Sequence, residues 1–109
     1  MRNGKVAEHN YKVGDILSSS WGYSMTIVNY YQVVKTTPKM ITVREIAGKL
    51  VSGDGMRGES VPVPNAFVPK KSYQPAEFHR LVVRGMISIN ESERAGLWDG
   101  EPMYHDHWD

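Results

Sequence analysis

The chain has 109 residues, of which 40% are hydrophobic and 23% charged, with a formal net charge of +1. This is the size of one domain with one modest core. No apolar run approaches the ~20 residues that cross a bilayer, no apolar leader opens the chain, and the absence of cysteine excludes disulfides and thiolate metal sites and fits a cytoplasmic protein without a membrane partner.

In chain order, residues 1–10 carry no periodic pattern and read as a flexible polar start. "YKVGDIL" (11–17) opens the first strand, with a kink or bulge at Gly14-Asp15. "SSSWGY" (18–23) reads as a loop in which Gly22 permits a tight turn. "TIVNYYQVVKT" (26–36) is rich in β-branched and aromatic residues and predicts a half-buried strand. Its alternation sets Tyr31 and Val33 on one face and Tyr30, Gln32 and Val34 on the other. A turn at 36–39, marked by Pro38, returns the chain as "MITVREI" (40–46), which completes a hairpin.

"AGKLVSGDGMRGES" (47–60) holds four glycines and is expected as an irregular loop. "VPVPNAFVP" (61–69), with three prolines, fits an edge strand or extended connector. "RLVV" and "MISIN" around Arg84-Gly85 predict a second hairpin. "ESERAGLWDG" (91–100) is the one place for a short helix, capped by Asn90 with acids in its first turn. Trp98 is expected as a plug against an open barrel edge, with Asp99-Gly100 turning beyond it. The expected fold is mainly β: a small, SH3-like, strongly curved sheet or partly open barrel of five or six strands. Residues 11–104 form this single domain and 105–109 a C-terminal tail.

Charge is uneven along the chain. Residues 1–90 hold 12 Lys and Arg against 6 acids, whereas residues 91–109 hold one Arg against 6 acids. No run of five or six like charges marks a dedicated nucleic-acid binder.

Catalytic signals are sparse. His105 and His107 share a strand face and could reach one metal, but a third ligand must come from elsewhere and the tail position weakens the site. No metal and no cofactor is therefore expected. Arg44, Arg57, Arg80 and Arg84, with Glu45 or His79 as base, would be the parts of a toxin-type ribonuclease, although nothing in their spacing demands it. The stronger signal is aromatic. Trp21 and Tyr23 around Gly22 can anchor a protein interface or stack on bases.

The blocks "VGDIL", "SSSWGYSMT", "NYYQVV", "MITVREI", "VPVP" and "LWDGEP" resemble a group of small, mostly uncharacterised proteins encoded by phages, prophages and plasmids. Val13–Ile16, Ser19, Trp21–Tyr23, Thr26, Tyr30–Val34 and Trp98–Pro102 carry the pattern, and Ser24 departs from the acid usual there. The resemblance implies a mobile-element origin and assigns no activity. The expectation is a non-enzymatic protein that binds a host protein or defence complex, as an anti-CRISPR or similar inhibitor does. Its binding residues would be Trp21, Tyr23, Thr26, Tyr30 and Arg44. The alternative is a nucleic-acid-binding module in which Trp21, Tyr23 and Tyr30 stack while Lys35, Lys39 and Arg44 track phosphates.

Overall fold

A computed structural model of the chain describes residues 9–22, 25–54, 56–69 and 75–106. These residues form eight strands: β1 (Ile16–Trp21), β2 (Ile27–Thr36), β3 (Met40–Gly53), β4 (Arg57–Phe67), β5 (Phe78–Leu81), β6 (Met86–Ser88), β7 (Arg94–Leu97) and β8 (Met103–Asp106). They make one open antiparallel sheet in the order β6-β7-β1-β2-β3-β4-β8, with β5 paired to β3 off this path. The fold is mainly β, as expected, but with eight strands rather than five or six and without closure into a barrel.

The long β2–β3 hairpin organises the rest. β3 has 14 residues, about 46 Å at the rise of a strand, close to the 48 Å long axis of the molecule. Its first half lies between β2 and β5, and its second half pairs with β4. Two regions result. A packed lobe comprises β1, β2, the first half of β3 and β5 to β7. An arm comprises the second half of β3, β4 and β8.

The core of the lobe is Leu17, Tyr31, Val33, Ile41, Val43, Phe78, Val82, Ile87, Ile89 and Ala95, with Tyr11 packed against it. Tyr31 and Val33 thus face inward as their alternation predicts. The kink at Gly14 (φ 97°) lets Gly14 and Asp15 bond Val33, next to the register shift in β2 between Val33 and Lys35.

The lobe's two edges approach each other without completing a ladder. Val83 and Met86 exchange backbone bonds of 2.9 and 3.1 Å across the Arg84-Gly85 turn. Beyond that rung a side chain spans the seam: Arg80 donates to the carbonyls of Ser88 at 2.8 Å and Ile89 at 3.1 Å. A guanidinium offers five donors on a planar fork, so it can satisfy carbonyls that a neighbouring strand would otherwise take. The guanidinium thus stands where strand-to-strand bonds would otherwise continue the seam.

Besides residues 18–21, which the sequence reads as a loop and which instead continue β1 in register with β2, two segments differ from expectation. Residues 47–60 form a tight hairpin, the end of β3 and the start of β4. The glycines serve close approach: a Cβ on Gly58 would stand 2.2 Å from the Ser52 carbonyl oxygen, and one on Gly53 2.5 Å from the Gly58 Cα. Asp54 caps the turn by accepting from Met56 and Arg57 N–H groups. These bonds hold its carboxyl below the usual range.

The second is 91–100, where β7 replaces the helix. Asn90 does accept from the Ser92 and Glu93 N–H groups, but the turn closes into a β6–β7 hairpin. Glu93 and Ala95 point inward and Arg94 outward, a period of two that a helix cannot provide.

Candidate binding groove

Tyr30↔Ile46 is the last rung between β2 and β3. Past it the strands part. The start of β2 keeps β1 as its neighbour, and β3 keeps β4. Among the described residues no strand pairs with the edge of β3 that faces away from β4 over 47–53. Opposite, β8 pairs with β4 and returns to β2 by a single rung, with Thr26 and Asp106 exchanging bonds of 2.8 and 2.9 Å.

This leaves a groove of about 300 Å³. Val28, Asn29 and Tyr30 line it from β2, and Glu45 to Gly48 with Leu50 from β3. Ser60 of β4, Val68 and His105 of β8 complete it. The lining thus mixes apolar residues with Asn29, Glu45, Ser60 and His105.

Tyr30 forms its floor. The residue is 2% exposed, and its hydroxyl donates to the Ser60 carbonyl at 2.7 Å and lies 3.0 Å from Ser60 Oγ. Burial raises the phenol above its ordinary pKa, partly offset by the bond to Ser60. Gly48 lies under the ring, since a Cβ there would stand 3.1 Å from Tyr30 Cε2. Trp98 meets the ring edge-on at 6.5 Å and is tied down by its own indole N–H to the Glu101 carbonyl. Trp98 therefore packs against Tyr30 on β2, an interior strand, rather than at an open edge.

The other expected binding residues divide. Thr26 forms the rung that closes the groove. Trp21 ends β1 opposite Ile27, half-buried, with its indole nitrogen lacking a hydrogen-bond partner. Tyr23 lies outside the described residues. Arg44 stacks 4.6 Å over the Phe67 ring, one face-row along from Tyr30, and does not line the groove. Its neighbour Gln32 exchanges two bonds with Asn65, a residue in the left-handed region at φ 66°. That amide pair pins the Pro-rich bulge of β4.

Lys35 sits at the far end of β2, eight residues from Ile27, about 26 Å away at strand rise. His105 is buried in β8, not in a tail, with Nε2 3.0 Å from the Asp54 carbonyl. His107 lies outside the described residues, and among those described no three ligating side chains cluster.

A second polar constellation lies inside the lobe. One carboxylate oxygen of Glu93 accepts from Ser19 Oγ, from the Tyr31 hydroxyl at 2.6 Å and from Asn29 Nδ2 at 3.1 Å. Ser19 and Glu93 are 2% and 3% exposed. A substrate cannot reach this serine, so the network organises the core. Burial, then the bond to Glu93, pushes the Tyr31 phenol far above its ordinary pKa.

The sequence pointed to Tyr30 and Thr26 but missed the β3–β4 half of the groove. The available signal was Asp54-Gly55, a hairpin-turn pair between β-branched and apolar residues. Comparison with models of known protein families, with curated proteins and with solved structures finds no match. Among the described residues no helix is long and apolar enough to cross a membrane.

Proposed function

We propose that this is a non-enzymatic binding module that takes an extended segment of a partner protein along the free edge of β3. The observation that carries the proposal is the edge of β3 over 47–53, which no described strand pairs, beside an apolar and polar groove. A strand edge offers backbone donors and acceptors to any extended chain, and flanking pockets select its side chains. Leu50, 44% exposed, would take an apolar side chain, while Asn29, Glu45 and His105 line the polar part. The resemblance to phage and plasmid proteins supplies the biological half of the proposal: a mobile-element inhibitor of the anti-CRISPR kind whose partner is a host protein or defence complex, acting in the host cytoplasm.

We also read the lobe as an SH3-like barrel left open at one seam. The rung at Val83 and Met86 and the Arg80 side chain across that seam support this.

The test is capture from host lysate, followed by reconstitution with the purified partner. Wild type should recover a protein that Leu50→Lys loses by tenfold or more, and binding should slow hydrogen exchange at amides of 47–52. Equal recovery by Leu50→Lys, or unchanged exchange along β3, would remove the groove from the mechanism.

A further inference from the structure

The end of the lobe opposite the groove carries a different surface. Met40 pairs with Leu81, and Val83 pairs with Met86. Leu81 and Val83 lie two residues apart on one side of the chain, flanking the buried Val82. These four aliphatic side chains therefore form one stripe on the outer face of the curled sheet, crossing β3, β5 and β6. All four are exposed, Leu81 by 53% and Val83 by 56%. Contiguous exposed apolar surface marks an interaction site, whereas scattered single residues do not.

Cations fringe the stripe. Lys39 precedes Met40, and its carbonyl accepts from Val82 N–H. Arg84 occupies the turn between Val83 and Met86. Lys35 lies on the same hairpin. Lys12 joins them because Tyr11, its neighbour, donates its hydroxyl to the Gly85 carbonyl. All four cations are exposed. Across residues 9–15, 33–44 and 78–90 the sole acid is Asp15, and its carboxylate accepts from the Lys12 N–H.

The chemistry of the stripe selects its occupant. A second copy would bring cations against cations. Nucleic acid would call for rings to stack on bases, and the stripe is aliphatic. Aliphatic tips within a fringe of cations match the boundary between headgroups and acyl chains in an anionic bilayer.

We infer that this end of the protein is a peripheral docking surface for anionic lipid, with Met40, Leu81, Val83 and Met86 entering the interface and Lys12, Lys35, Lys39 and Arg84 engaging headgroups. Such contact requires no membrane-crossing segment, so it revises the expectation of no membrane partner, which rested on the lack of a long apolar run.

The experiment is co-sedimentation of the full chain with phosphatidylcholine vesicles and with vesicles in which about a third of that lipid is replaced by phosphatidylserine. Strong partition only to the anionic vesicles, weakened by salt, is expected. Leu81→Ser with Val83→Ser should weaken it about tenfold. Lys39→Glu with Arg84→Glu should do the same and flatten the salt dependence. This charge-reversed pair, confined to exposed side chains, decides the matter should the serine pair unfold in circular dichroism. Leu50→Lys, in the groove, should leave partition unchanged, which separates this surface from the proposed partner site. No partition, equal partition to neutral vesicles, or indifference to the charge-reversed pair would overturn the inference. So would tighter binding to an RNA or DNA duplex that the serine pair leaves intact.

Discussion

Adjacent tyrosines on β2 face the two regions of the molecule, and their partners show how the regions differ. Tyr31 points into the lobe, where its hydroxyl joins Ser19 and Asn29 on the Glu93 carboxylate beneath an aliphatic core. Tyr30 points into the arm, where it meets a backbone carbonyl, a serine hydroxyl and an open groove. The lobe buries this carboxylate together with Ser19 and Tyr31. Among the described residues the arm leaves one edge of β3 unpaired over 47–53 and keeps Leu50 and Val51 exposed. Tyr31 and Tyr30 thus turn one hairpin toward a polar network in the core on one side and a groove on the other.

The largest effect that would sharpen this contrast is Glu93→Ala. Two buried donors, Ser19 and Tyr31, and the part-buried Asn29 lose their acceptor, and each buried unsatisfied group costs about 1–3 kcal/mol, so loss of about 3 kcal/mol or more is expected in denaturant unfolding. A loss under about 1 kcal/mol would show that water already reaches the network. Next is Gly58→Ala. The added methyl must displace the Ser52 carbonyl, at a cost of about 1–3 kcal/mol of overpacking. Hydrogen exchange should quicken along 47–60 and stay unchanged in β1, β2 and β7. Global destabilisation instead would merge the two regions into one cooperative unit.

The smallest effect lies at high pH. A phenol whose folded pKa is raised contributes stability that is fully present below its unfolded value, 10.0, and lost as pH rises above it, at about 1.4 kcal/mol per pH unit. Tyr31→Phe should flatten this alkaline limb more than Tyr30→Phe, because Tyr31 faces a carboxylate as well as burial. Equal slopes would deny the lobe its special character.

Much of the lobe was legible in the sequence. Pro38 and the β-branched runs on either side place the β2–β3 hairpin, and Arg84-Gly85 places the second turn, with both residues at positive φ. The arm was not legible, because glycines read alike whether they loosen a chain or let two backbones touch. Gly53 and Gly58 do the latter, and only the partner strand reveals it. Residues 91–100 misled for a related reason. Asn90 makes the bonds of a helix cap, and the acids beside it look solvated. What sets the period to two is the distant acceptance of Ser19, Asn29 and Tyr31 by Glu93, a tertiary contact with no local trace. Half the groove was missed with the arm, since Tyr30 and Thr26 stand in a recognisable strand whereas Gly48, Leu50 and Ser60 sit in what resembled a loop.

The rung between Thr26 and Asp106 spans 80 positions of sequence. During synthesis the first wall of the groove emerges long before the residue that clasps it. Until β8 appears, one side of β4 over 57–60 has no neighbour, and a bare strand edge is a template for pairing with other chains. The groove is therefore the last part of the described fold that a growing chain can complete, and the interval before its closure is when it is most open to the wrong partner.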